Sequence, residues 1–185
     1  MTTLNWQFWL TFSIGIIGAA AWLPTIFEYF KTPIIKGKIL STYASVVTIQ
    51  GKKQAAYVVK LSLFTQNKTL NLKDINISMK FPDTKEIEGN IFMFRSASFM
   101  FNENGQDIIK KLRVPIQEYI YNFSSLPKEE TVIGYITFTA NEIIDKPFEY
   151  LTFTFIDYKN KEYKLKFMGS ELTSNKLLFD DSIWE

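Results

Sequence analysis

Residues 75–81, Ile75-Asn76-Ile77-Ser78-Met79-Lys80-Phe81, alternate apolar and polar side chains without a break. Successive side chains of a β-strand point to opposite faces, so this run builds a strip with one dry face and one wet face. The same period of two recurs on both sides of it. Upstream, Tyr57, Val59, Leu61 and Leu63 alternate with Val58, Lys60 and Ser62. Downstream, Ile87, Gly89, Ile91 and Met93 form one set, Ile136 and Phe138 another, and Leu151, Phe153 and Phe155 a third. Tyr163, Leu165 and Phe167 complete the series, behind a polar connection, Asp157-Tyr158-Lys159-Asn160-Lys161, of hairpin length. Ile77, Phe81, Leu151, Phe153 and Phe155 are the expected inward positions.

With 38–49 and 111–116, these runs predict eight strands. Gly51-Lys52-Lys53, Asn67-Lys68, Pro82-Asp83, Asn104-Gly105 and Pro127-Lys128 supply turns between them. Residues 115–126 read either way, because Ile116, Tyr119, Ile120 and Phe123 also share one helical face; a short helix or turn is expected there. The chain therefore reads as mainly β, an antiparallel immunoglobulin-like β-sandwich, with a small β-barrel as the alternative. No long helical stretch separates the strands, which excludes a parallel α/β sheet. The buried Trp and paired cysteines of antibody domains are missing, so the likeness is one of architecture only.

The N-terminal end is different in kind. No charged side chain occurs before Glu28, and residues 8–27 are apolar. A helix of that length covers ~30 Å, the thickness of a bilayer's hydrocarbon layer. Trp6 and Trp9 stand at one end and Trp22, Tyr29 and Phe30 towards the other, as interfacial aromatic belts do. A cleaved signal peptide ending at Ala19-Ala20-Ala21 would begin with Lys or Arg, and none precedes this stretch. Thr11, Gly15 and Ala19 recur at every fourth position, a row of small side chains suited to helix–helix packing and also common in membrane helices generally.

Between Glu28 and Asp74 lie eight lysines and no carboxylate. Positive charge on the C-terminal side of a span places the following domain in the cytoplasm, on the inner membrane. Lys31, Lys36 and Lys38 are expected beside lipid head groups, anionic ones in particular. Lys52, Lys53, Lys60, Lys68 and Lys73 read as ordinary outward-facing strand residues. The expected organisation is a transmembrane anchor at 1–30, a basic juxtamembrane linker at 31–37, a β-sandwich at 38–169 and an acidic, apolar tail at 170–185.

The chain has no cysteine, no histidine and a formal charge of +2, which removes thiol nucleophiles, disulfides, His-dependent triads and a polycationic nucleic-acid surface. Glu86 with Glu88, Glu129-Glu130 and Asp180-Asp181 sit in no catalytic or metal-binding motif and read as solvated surface. No Walker, dinucleotide or calcium loop occurs, so no enzyme, cofactor or metal is expected, and a nucleotide ligand has no motif behind it. Tyr119, Tyr121 and Phe123 with Arg113 read as a binding surface or as core. The expected function is a single-pass membrane protein whose cytoplasmic β domain binds a protein partner or a second copy. A small membrane effector of anti-phage type, with a nucleotide-sensing β domain and an oligomerising helix, is one alternative. An exported envelope or adhesive domain is another.

Overall fold

The computed structural model describes residues 18, 21–28, 30–94, 97–103, 105–141, 147–171 and 183. The chain divides into two units, Met1–Thr32 and Pro33–Glu185. In the first, residues 21–28 are helical, and Trp22, Leu23, Ile26, Phe27 and Phe30 are exposed. The helix closes where the Lys31 amide donates to the Phe27 carbonyl at 3.1 Å, and the Lys31 ammonium pairs with the Glu28 carboxylate. Among the described residues no helix is long and apolar enough to cross a membrane. The expected span at 8–27 lies largely outside the described residues. Trp6, Trp9, Thr11, Gly15, Ala19 and Tyr29 lie wholly outside them.

The second unit is built from β1 (Ile34–Ile49), β2 (Lys52–Gln66), β3 (Leu70–Lys80), β4 (Ile87–Ile91), β5 (Ala97–Glu103), β6 (Gln106–Leu112), β7 (Ser125–Leu126), β8 (Thr131–Ala140), β9 (Tyr150–Asp157) and β10 (Glu162–Met168). The mainly β, antiparallel class is as expected. One hydrogen-bonded path, β1-β2-β8-β4-β3-β9-β10, carries seven of the strands, with β7 paired to β3. A two-sheet sandwich would divide these strands; here they form one sheet curled into a half-barrel. The two-residue turn between β1 and β2 has positive φ at both Gln50 (50°) and Gly51 (77°), the backbone that matches the twist of a tight hairpin.

The concave side holds the larger core. Ile77 and Met79 of β3, Phe138 of β8 and Leu151, Phe153 and Phe155 of β9 are almost wholly buried there. The five residues expected to point inward are all buried. Curling brings the outer strands together without a ladder: a Cβ on Gly37 of β1 would lie 2.6 Å from Leu165 and 3.3 Å from Phe167 of β10.

The layering of a sandwich appears only over one half of the sheet. Ala55 to Val59 of β2 are buried on both faces. Alternate members Ala56 and Val58 turn to a second core with Tyr43, Phe99, Leu112, Tyr119 and Tyr135. The β5–β6 hairpin, joined to the main sheet by no strand pairing among the described residues, lies over this outer face, with the Tyr43 and Phe99 rings 5.3 Å apart. A strand covered on both sides needs an unbroken apolar run, which residues 55–59 supply. A bulge between Ile39 and Ser41 shifts the phase of β1, so Ile35 and Ile39 face the inner core and Tyr43 the outer one.

Strand β5 was not expected, and β6 begins at Gln106 where a strand was expected only from 111. Residues 115–126 form two short 3-10 turns, Ile116–Glu118 and Ile120–Asn122, followed by β7. β1 begins at Ile34, inside the expected linker, so Lys36 and Lys38 are strand residues.

Candidate functional site

The two ends of the strand path differ in how they are guarded. The first part of β1 carries Lys36 and Lys38 and lies beside β10 at Gly37. Charged side chains and a covering element are the usual means of blunting a sheet edge. β10 stops at Met168, one residue beyond the Phe167 that approaches Gly37, while β1 runs on to Ile49. That continuation, Leu40-Ser41-Thr42-Tyr43-Ala44-Ser45-Val46-Val47-Thr48-Ile49, contains no charge and no proline. Among the described residues its sole strand partner is β2. Ala44, Val46 and Thr48 are exposed, Val46 at 49%.

Beside this edge lies a cleft of about 560 Å³. Val46, Val47, Thr48 and Ile49 form one wall; Phe92 and Phe94, which follow β4, and Ser98 of β5 form the other. The aromatic wall is held firmly. The Phe92 amide donates to the Thr137 carbonyl at 3.0 Å, and the Thr137 hydroxyl donates back to the Phe92 carbonyl. The Tyr119 hydroxyl donates to the Phe94 carbonyl at 3.3 Å. Phe94 packs edge-on against Phe99 at 5.7 Å, and Phe92 stands 5.2 Å from Phe94 with 41% of its surface exposed. Burial pushes the Tyr119 hydroxyl up to about 12 and raises that of Tyr43, against the pull of its hydrogen bond to Ser45. Both phenols are therefore neutral throughout the physiological range, donors and packing surfaces rather than acids.

A second groove, about 310 Å³, crosses the outward face of β3, β4, β9 and β10. Asn76, Ser78, Glu88, Thr154, Glu162 and Lys164 line it. Its one lysine is already paired, Lys164 with Glu162 at 3.0 Å. Glu86, near the same face, accepts from the Ser78 hydroxyl at 2.5 Å.

Of the residues singled out from sequence, Lys31, Lys36 and Lys38 are exposed, and so is Trp22. Lys60 stands 5.1 Å over the Tyr135 ring. Tyr119 is core, with Tyr121 and Phe123 partly buried against the two cores, so this trio is not an open surface. Asp180 and Asp181 lie outside the described residues. Sequence reading missed the cleft because it missed β5. Asn104-Gly105 between Phe99-Met100-Phe101 and Ile108-Ile109 is the hairpin signal that points to it. No protein-family model matches this chain, and no curated protein does.

Proposed function

We propose that this protein is a membrane-anchored binding module: the N-terminal apolar segment holds it at the inner membrane, and the β unit captures a protein partner on the cytoplasmic side. The anchoring part rests on the charge-free residues 1–27 and the lysines that follow. The binding part rests on the cleft between β1 and Phe92, with exposed large apolar side chains, Val46 and Phe92, on its two walls. The double-layered half of the unit, β1, β2 and β8 under β5–β6, is the part we read as immunoglobulin-like. The same cleft would serve an adhesive domain, but that reading needs the opposite orientation to the one the lysines favour.

The test combines topology with capture. A reporter fused after Glu185 should be active in the cytoplasm, and the chain should stay with membranes through alkaline carbonate. Photo-crosslinking side chains placed singly at Phe92 in the cleft and, away from it, at half-buried Tyr150 of β9 and exposed Ile109 of β6 should yield a discrete adduct with another polypeptide in cells from at least one position. An exported reporter overturns the orientation; no adduct from any position overturns the binding role.

A further inference from the structure

We infer that the second half of β1 is a β-strand addition site, whose occupant is an extended apolar segment of a protein partner flanked at both ends by carboxylates. This rests on the binding-module reading and names the partner's chemistry. An unpaired edge presents a row of N–H and C=O groups that template another strand. Here the guarding devices are confined to the first part of the strand, at Lys36, Lys38, the approach of β10, the bulge after Ile39 and the cover of Tyr43 by Phe99. Among the described residues Ala44 to Ile49 have no strand partner but β2, and Ala44, Val46 and Thr48 are exposed. At ~3.3 Å per residue the open stretch, Ala44 to Ile49, spans ~20 Å, long enough for a strand of ordinary length. An added strand would place alternate side chains towards the cleft, where exposed Phe92 supplies an aromatic wall backed by Phe94, the backbone of both held by hydrogen bonds.

The charges choose between occupants. The neutral stretch is bracketed by Lys36 and Lys38 at one end and by exposed Lys52 and Lys53 at the hairpin end. A second copy pairing antiparallel with its own kind would bring the Lys36 end of one chain to the Lys53 end of the other, lysine against lysine. An apolar strand with acidic ends meets lysine at both ends, which sets register as well as sign.

The full chain, purified in detergent, is titrated with two synthetic peptides of alternating valine and threonine, one ended by paired glutamates and the other by paired lysines. The glutamate-ended peptide should bind at least tenfold more tightly. Val46→Lys, a charge placed on the exposed edge, should weaken that binding at least tenfold. The double variant Lys52→Glu, Lys53→Glu should favour the lysine-ended peptide. Near-ultraviolet circular dichroism confirms that each variant keeps its aromatic packing. Equal affinity for the two peptides, binding indifferent to Val46→Lys, or no binding overturns the proposal. Concentration-dependent dimerisation abolished by Val46→Lys, without peptide binding, assigns the edge to a second copy and overturns it too. In cells, adducts from Tyr150 or Ile109 but none from Phe92 would sink this site alone and leave the binding-module reading standing.

Discussion

The Tyr163 hydroxyl donates to the Asp157 carboxylate at 3.2 Å, tying the first strand of the last hairpin to its return strand. The same carboxylate accepts from the backbone amides of Lys159 and Lys161, both at 2.8 Å, and so holds the turn between β9 and β10 in one shape. Burial acts to raise the Asp157 pKa, but the Lys161 and Lys159 amides, the Tyr163 hydroxyl and the Lys159 charge outweigh it and leave it lowered. Burial, then the bond to Asp157 and its charge, push Tyr163 up to about 12. A lowered carboxylate contributes stability above the usual carboxylate range that is lost as pH falls through its folded value. A raised phenol contributes stability below pH ~10 that is lost as pH rises through about 12. Asp157→Asn should therefore lower Tm at neutral pH and flatten the loss of Tm on acidification. Phenolate absorbance should also rise at lower pH in the variant. Identical pH profiles would mean the turn is held by its backbone alone.

Phe153 should be among the costliest side chains to truncate. It is wholly buried, edge-on to Phe138 at 6.4 Å and to Phe167 at 6.0 Å, and so joins β9 to β8 and β10 across the concave core. Phe153→Ala should cost about 3–5 kcal/mol, and Thr152→Ala, on the opposite face, well under 1 kcal/mol. Denaturant unfolding of the full chain and both variants decides it; equal effects would contradict the register.

Thr42 is a substitution that should help. Its hydroxyl is buried beyond the β1 bulge with no hydrogen-bond partner among the described residues. Thr42→Val keeps the shape and removes the desolvated hydroxyl, so stability should rise by about 1 kcal/mol. A loss of stability in the same unfolding assay would show that the hydroxyl is satisfied in solution.

Two glycines should fail for different reasons. A Cβ on Gly134 would lie 2.7 Å from the Glu118 carbonyl oxygen and 2.8 Å from Ile120, where the 3-10 turns cross β8. Gly51 has open space but a φ of +77°. Gly134→Ala should cost about 1–3 kcal/mol through overpacking, and Gly51→Ala about 1 kcal/mol through backbone conformation. Asparagine, which tolerates positive φ, should recover much of the loss at Gly51 and none at Gly134. Recovery at both positions would mean the crossing is looser than its distances.

Ile183 is 1% exposed in the outer core, and its carbonyl accepts from the Arg113 amide at 2.7 Å. Ile183→Ala should speed hydrogen exchange of the β5 and β6 amides while leaving β3 and β9 protected, because the two cores are separate clusters. Uniform loss of protection would show one cooperative unit instead.

Strict alternation made β3, β9 and β10 legible from residue order alone: Ile77, Leu151, Phe153 and Phe155 bury one face, and Asn76, Thr152 and Thr154 keep the other polar. The outer layer was far less legible. Its strands are short, and β5 owes its place to Phe99 packing on Tyr43, from a different part of the chain. The candidate site was the least legible part. Phe92 and Val46 are distant in sequence and meet only because β8 carries Phe92 through Thr137 and β2 carries β1.

By itself the sequence determined the β class, the inward faces of the strictly alternating strands, the hairpin turns and the absence of His and Cys chemistry, because each depends on neighbouring residues or on composition. Tertiary structure alone decided that seven strands form one curled sheet, that a hairpin covers half its outer face, and that β10 ends before β1 does. Strand order and edge cover are set by which apolar faces can be buried together across the whole chain. No local period encodes that choice, and it is what leaves residues 44–49 of β1 with β2 as their sole strand partner among the described residues.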